Sequence, residues 1–113
     1  MWSRIMDKLE EKGLNPYAPG MYEGVCQERF CIVRTSSQMP MAGTNKVGTK
    51  LFDIIVYVPK TRYPDIEPYM QEIKEAMKEL NFIRPTGNET PPVPDDEKEA
   101  FTASIEYQVL KKL

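Results

Sequence analysis

The stretch Lys50–Pro59 reads K-L-F-D-I-I-V-Y-V-P and is the densest block of β-branched and aromatic residues in the chain. Successive strand residues point to opposite faces. One face is therefore wholly apolar and consists of Phe52, Ile54, Val56 and Val58, whereas the other carries a single charge, Asp53. Two mostly apolar faces are typical of a strand in the middle of a sheet, with a helix packed on one side. We therefore predict that this segment is the central strand.

Two helices and four further strands are predicted around this segment. Amphipathic stripes predict a short helix over residues 2–12 and the main helix over residues 65–80, with Asp65 as its N-cap. Alternating apolar residues predict strands at about 22–27, 30–35, 82–86 and 101–110. Residues 1–113 are thus predicted to form one α+β domain: a mostly antiparallel sheet of four or five strands, with both helices on one face and two long loops.

Two long polar segments are predicted to be mobile loops, because long connections in small domains are usually functional or disordered. Residues 35–49 contain no acid and are locally basic, whereas residues 86–99 are acidic and rich in proline. The first segment imitates a phosphate-binding P-loop. It lacks the Gly-Lys-Ser/Thr order, and it enters a strand where that motif enters a helix, so we reject a nucleotide site there.

Composition limits the chemistry that the chain can perform. It contains no histidine, which excludes Ser-His-Asp and Cys-His nucleophile pairs and histidine metal clusters. The remaining candidates are Cys26 or Cys31 with a lysine, or Asp53 with Glu106, and no spacing distinguishes either combination from chance. We therefore predict that the protein is not an enzyme and has no catalytic, cofactor-binding or metal-binding residue.

The predicted hairpin of residues 22–27 and 30–35, turning at Glu28-Arg29, would place Cys26 opposite Cys31. That register permits a disulfide. The acids and lysines near the N-terminus are unlike a signal peptide and predict an intracellular start. In a reducing cytosol two free thiols, one of them buried, are the better interpretation.

Charge and hydropathy bear on the partners. The net charge of −2 argues against a general nucleic-acid binder. No apolar run approaches the roughly 18 residues that a membrane span needs. We therefore expect neither a membrane nor a sequence-specific nucleic-acid contact.

The order of elements resembles the tail-terminator and head–tail joining proteins of long-tailed bacteriophages and prophages, often labelled minor capsid or tail-completion proteins. The resemblance spans nearly the whole chain. It rests on Tyr22–Val25, the strand Leu51–Pro59, the helix Ile66–Leu80, the R-P-T-G-N-E-T stretch at Arg84–Thr90, and the closing strand Thr102–Val109. It implies a structural protein without a cofactor, which forms rings, typically hexamers, that cap the tail tube and dock it to the head.

The same resemblance implies the partners and the location. The partners would be further copies of the chain, the tail-tube protein and head-connector proteins, with DNA passing through the ring. A free subunit can stay monomeric, because a ring built on a tail tube draws stability from that template. The protein would occupy the host cytoplasm during assembly and the head–tail junction of the virion afterwards.

The predicted subunit interface combines one sheet face with both loops. The face that carries Asp53, Ile55 and Tyr57 is too apolar for plain solvent surface. Basic and acidic loops on one chain suit head-to-tail contacts between subunits. The predicted loop residues of the interface are Lys46, Lys50, Asp95 and Asp96. Two ordinary solvated loops would have the same composition.

The alternative is a small ferredoxin-like α+β domain that binds a ligand or regulates another protein. Such a domain would have a compact pocket and short connections. The two long polar segments, if they are loops, argue against it.

Overall fold

The computed structural model describes residues 2–40 and 47–112. The elements are α1 (Trp2–Glu11), β1 (Pro16–Tyr17), β2 (Phe30–Pro40), β3 (Val47–Pro59), a 3-10 helix (Lys60–Asp65), α2 (Ile66–Lys78), β4 (Arg84–Asp95) and β5 (Ala100–Lys112). The five strands form one sheet in the order β1-β2-β3-β5-β4, and all neighbours are antiparallel except β1 and β2. The predicted α+β class, with a mostly antiparallel sheet, is confirmed.

Strand β3 is the central strand, as predicted, and pairs with β2 on one edge and β5 on the other. Its alternation decides where the core lies. The side chains of its wholly apolar face are at most 1% exposed: Phe52, Ile54, Val56 and Val58. They share one apolar cluster with the buried residues of α1 and α2, so both helices cover this face of the sheet.

The main helix α2 buries the stripe that its 3.6-residue period requires. Ile66, Tyr69, Ile73 and Met77 are at most 2% exposed and pack against the sheet. Asp65 is the N-cap residue of α2, as predicted, but its carboxylate makes no capping hydrogen bond. It accepts instead from Arg62 Nε at 2.6 Å, within the 3-10 helix that precedes α2.

The predicted strand at residues 22–27 is wrong, and so is its hairpin with residues 30–35. The first strand of the sheet is Pro16–Tyr17, which lies parallel to the start of β2. Residues 28 and 29 are Glu-Arg, a poor pair for the positive φ angles of a tight hairpin. Residues 18–29 instead fold back over the sheet, where the ring of Tyr22 stacks on that of Phe30 at 3.6 Å between centroids.

The predicted register of the two cysteines is therefore also wrong. Both thiols are free and both are buried. Cys31 belongs to the cluster beneath the helices, whereas Cys26 belongs to a second, smaller cluster that includes Phe30 and Ala100. In β2 the register pairs Cys31 with Val56 and Phe30 with Tyr57, so the two clusters lie on opposite faces of the sheet.

The predicted loop at residues 35–49 is wrong where the structure describes it. Strands β2 and β3 continue as a hairpin, with Gln38 opposite Lys50 and Pro40 opposite Gly48. Residues 41–46 lie outside the described part of the chain. Strand β5 runs on to Lys112 and pairs with β3 as far as Val47, so β3 has a hydrogen-bonding partner on both sides here.

The predicted acidic loop at residues 86–99 is also wrong, because most of it belongs to β4. Only residues 96–99 form a turn before β5. Four prolines lie in β4, but β4 is an edge strand, where a missing N–H on the outer side costs no ladder hydrogen bond. The pairing of β4 with β5 is not continuous, because its register shifts between Pro85 and Glu89 and again between Thr90 and Val93.

Candidate functional site

The face of the sheet opposite the helices is the first candidate site. We call its uncovered part the open face. In register across the four long strands, it consists of Arg34 on β2, Asp53 and Ile55 on β3, Ser104 and Glu106 on β5, and Thr90 and Val93 on β4. These residues share a face because directly paired residues of antiparallel strands point to the same side.

A row of charged and polar groups crosses the open face. Arg34 Nη2 donates to Asp53 Oδ2 at 2.8 Å, and these two residues are direct partners in the β2–β3 ladder. Glu106, the partner of Asp53 on β5, accepts from Thr86 Oγ1 at 2.8 Å and from Asn88 Nδ2 at 3.0 Å. Carboxylates that face one another repel. Here the donor to Asp53 lies on β2, and the two donors to Glu106 lie on β4.

The structure therefore brings together Asp53 and Glu106, the carboxylate pair considered from sequence as candidate chemistry. The Asp53 side chain is only 13% exposed and its partner Arg34 is 53% exposed. Within the described residues, no group of three or more carboxylate or thiol side chains is close enough to hold a metal ion. Both carboxylates of the row have hydrogen-bond donors in place.

Beside this row lies a less polar strip. Ile55 pairs with Ile32 on one side and with Ser104 on the other, and the Ser104 hydroxyl lies 3.1 Å from that of Thr90. Among the described residues, Ile55 belongs to neither buried apolar cluster. At the β4 edge, the Val93 side chain is 48% exposed. The open face thus offers apolar contacts next to an ion pair.

The end of this face nearest Pro59 is covered by the chain itself. The Tyr57 ring stacks on Phe30 at 4.7 Å, and Phe30 in turn stacks on Tyr22. The covering segment is residues 18–29, and the Lys98 ammonium donates a hydrogen bond to its Gly24 carbonyl at 3.3 Å. Burial raises the pKa of the Tyr57 hydroxyl. Tyr57, predicted at the interface, therefore lies beneath residues 18–29 and not on the open face.

Three charged residues of the predicted interface, Lys50, Asp95 and Asp96, lie apart from the open face. The Lys50 ammonium lies 5.7 Å from the centroid of the Phe52 ring, on the helix side of the sheet. Asp95 Oδ1 accepts from the backbone N–H of Lys98, and Asp96 pairs with Lys60 at 3.1 Å with its own side chain 90% exposed. Lys46 lies outside the described residues.

The two kinds of charge lie at opposite ends of the sheet. Pro59, at the end of β3, is opposite Ala100, and Ala100 is opposite Asp95. Lys50 is nine residues earlier in β3, which at 3.3 Å per strand residue is about 30 Å away. Of the predicted interface residues, only Asp53 and Ile55 are brought together on the open face.

A cavity of about 550 Å³ between α2 and the β4–β5 edge is the second candidate site. Apolar walls surround Tyr107, a residue of β5 that is only 3% exposed. Burial raises the pKa of Tyr107 to about 12, and the nearby Glu89 carboxylate acts in the same direction. The cavity could not be predicted from the sequence, because each of its residues, taken alone, has the pattern of ordinary core or ordinary surface.

No family model matches the chain, and no curated protein shows significant sequence similarity to it. None of the helices in the described parts of the chain is both long and apolar enough to span a membrane.

Proposed function

We propose that the protein is a structural component of the head–tail connection of a long-tailed bacteriophage or prophage. In this role it is a tail terminator or head–tail joining protein that assembles as a ring, caps the tail tube and docks it to the head. The observation that carries the proposal is the open face, a strip of apolar side chains next to the Arg34–Asp53 ion pair. The resemblance in element order supports the same function.

The composition of the open face suits a subunit contact. Interface centres are apolar and their rims polar. Ile55 and Val93 would form the apolar part, while Arg34 and Asp53 would supply direction and specificity. A ring buries such a face against a different surface of the next subunit, which is a head-to-tail contact.

The separation of charge along the sheet also supports a head-to-tail arrangement. Lys50 lies towards one end and Asp96, almost fully exposed, lies at the other. Opposite charges at opposite ends of one subunit favour contact with the next copy in the same orientation. The ring would form in the host cytoplasm and remain at the head–tail junction of the virion.

The experiment compares two valine substitutions of similar exposure. Val93 lies on the open face and is 48% exposed. Val25 is 42% exposed and lies in the segment, residues 18–29, that covers the remaining end of the same sheet face. We expect Val93→Lys to prevent binding to tail tubes and formation of rings, because it places a charge in the contact. Val25→Lys should assemble like the unchanged protein.

Electron microscopy and sedimentation of the protein mixed with tail tubes provide the measurement. Both variants should keep the unchanged circular dichroism spectrum. Rings that form equally well with Val93→Lys, or a protein that never associates with tails, would contradict the proposal. Neighbouring genes give an independent check, since capsid, portal and tail-tube genes are expected beside this one.

A second candidate function is favoured by the cavity between α2 and β4. A small ligand-binding or regulatory domain needs a compact pocket, and this one has a volume typical of ligand sites. The two segments that argued against this function as long loops are mostly strand. Ligand binding without assembly on tails would favour this second function.

A further inference from the structure

The cavity between α2 and the β4–β5 edge has the dimensions and lining of a small-molecule site. Its volume of about 550 Å³ lies within the range of roughly 300–1,000 Å³ that is typical of ligand pockets. Its apolar wall includes Met77 from the last turn of α2, Leu80 and Ile83 from the following connection, and Ile105 from β5. These side chains would contact an apolar body.

The hydroxyl of Tyr107 provides a polar group inside this wall. Among the residues whose side chains the structure describes (2–35 and 50–109), this hydroxyl has no hydrogen-bond partner, although Tyr107 is only 3% exposed. Every fully buried polar side-chain atom of the described residues has a partner. The hydroxyl is therefore not fully buried, and Tyr107 lines the cavity. It stays protonated at neutral pH and is free to donate a hydrogen bond.

Three basic residues, Lys74, Lys78 and Arg84, line the rim of the cavity, and Glu89 is the one acidic residue among the lining residues. Lys78 is also paired with Glu75 on α2 at 3.2 Å. The Lys74 ammonium reaches across from α2 to the Glu89 carboxylate on β4 at 2.9 Å. Glu89 is also close enough to Tyr107 to affect its titration. The ammonium, the carboxylate and the hydroxyl thus share one side of the cavity.

We propose that this cavity binds a small organic anion with an apolar body, such as an aromatic or branched aliphatic carboxylate. The apolar body lies against Met77, Leu80 and Ile105. The anionic group accepts a hydrogen bond from the Tyr107 hydroxyl and faces Lys74, in competition with Glu89. This site is independent of the open face and of the proposed structural function.

Two fluorescent probes with the same ring system test the proposal. 8-Anilinonaphthalene-1-sulfonate carries an anionic group, and N-phenyl-1-naphthylamine lacks it. We expect the full chain to bind the sulfonate probe more tightly than the neutral one. Tyr107→Phe should weaken binding of the sulfonate probe about tenfold, which corresponds to a hydrogen bond to a charged group. Binding of the neutral probe should change little.

Two substitutions that remove opposite charges provide the matched comparison. Lys74→Gln should weaken binding of the sulfonate probe about threefold, because the ammonium is partly exposed and partly screened. Glu89→Gln should strengthen it by a similar factor, since it releases Lys74 and removes a repelling carboxylate. Neither substitution should alter binding of the neutral probe.

A cavity-filling variant tests the location. Leu80→Trp should abolish binding of both probes while the thermal melt remains cooperative. Undiminished binding in a folded Leu80→Trp protein would overturn the proposal. If that variant does not fold, the Lys74→Gln and Glu89→Gln pair still decides. Equal effects of these two substitutions on both probes, or no measurable binding by the unchanged protein, would refute an anion site.

Discussion

The hydroxyl of Tyr69 donates a hydrogen bond to the backbone carbonyl of Leu14, and neither residue is more than 1% exposed. The Cys31 thiol lies 3.7 Å from the same carbonyl and also donates to it. One main-chain oxygen therefore connects α2, the segment after α1 and strand β2. Its donors matter because a buried carbonyl without a partner is costly.

We expect Tyr69→Phe to lower the free energy of unfolding by about 1–2 kcal/mol, since it leaves the Leu14 carbonyl with only the weak thiol donor. Tyr107→Phe is the matched control. It removes a hydroxyl that has no partner among the described residues and should cost less than about 0.5 kcal/mol. Urea unfolding measures both values, and equal losses would show that the Tyr69 hydrogen bond contributes nothing.

Two substitutions in β3 should have opposite consequences for folding. Val56 is fully buried in the apolar cluster beneath the helices. Val56→Asp should abolish folding, because an unpaired buried carboxylate costs several kcal/mol. Asp53→Leu should leave the fold intact, since Arg34 is 53% exposed and keeps its contact with water. Circular dichroism and thermal melts provide the measurement, and a folded Val56→Asp protein would be inconsistent with the observed core.

Stability should fall in alkaline solution because of the two cysteines. Burial raises the pKa of Cys26 and of Cys31 to about 11, above the value of about 8.5 for an unfolded chain. The unfolded state therefore loses these protons first, and stability should decline as the pH rises from about 8.5 to about 11. Iodoacetamide should also react slowly with both thiols at neutral pH, because the thiolate is the reactive form.

The midpoint of urea unfolding, measured across this pH range, tests the predicted decline in stability. A variant with Cys26→Ala and Cys31→Ala serves as control and should lose much of the decline. The buried tyrosines Tyr69 and Tyr107 also have raised pKa values, so part of the decline should remain in the control. Rapid alkylation of the native protein at neutral pH would contradict the prediction.

In the proposed ring, the sheet end that carries Lys50 should attract the end of a neighbouring subunit that carries Asp96. Lys50→Glu should weaken assembly on tails, and Asp96→Lys in the same chain should partly restore it. The effects should be modest and fade at high salt, because exposed charges are worth little individually and are screened. Light scattering at high protein concentration and electron microscopy of tails would reveal them. A compact dimer with open faces back to back, unaffected by either reversal, would refute the ring.

Elements whose burial follows a local period could be predicted from the sequence alone. The alternation of Phe52, Ile54, Val56 and Val58 marks a strand with one wholly buried face whatever its neighbours are, and the structure buries all four. The stripe of α2 is equally local, since residues three and four apart must lie on one side of a helix. The α+β class follows from these two patterns.

The strands at 30–35 and 101–110 could also be predicted, but the full extent of β2 and β4, the course of residues 18–29 and both candidate sites depend on tertiary contacts. Residues 86–95 have a loop composition, yet they pair with β5 as the edge strand of the sheet. Their prolines are allowed there because, in the sheet that the structure describes, no further strand needs the N–H groups that proline lacks. Tyr22 and Val25 have strand-like neighbours, yet the stacking of Tyr22 on Phe30 draws this segment across the sheet. Cross-strand register and the packing of distant aromatic rings are contacts between remote parts of the chain. No local pattern encodes them, and for that reason neither the Asp53–Glu106 pairing nor the cavity around Tyr107 could be located before the strands were placed side by side.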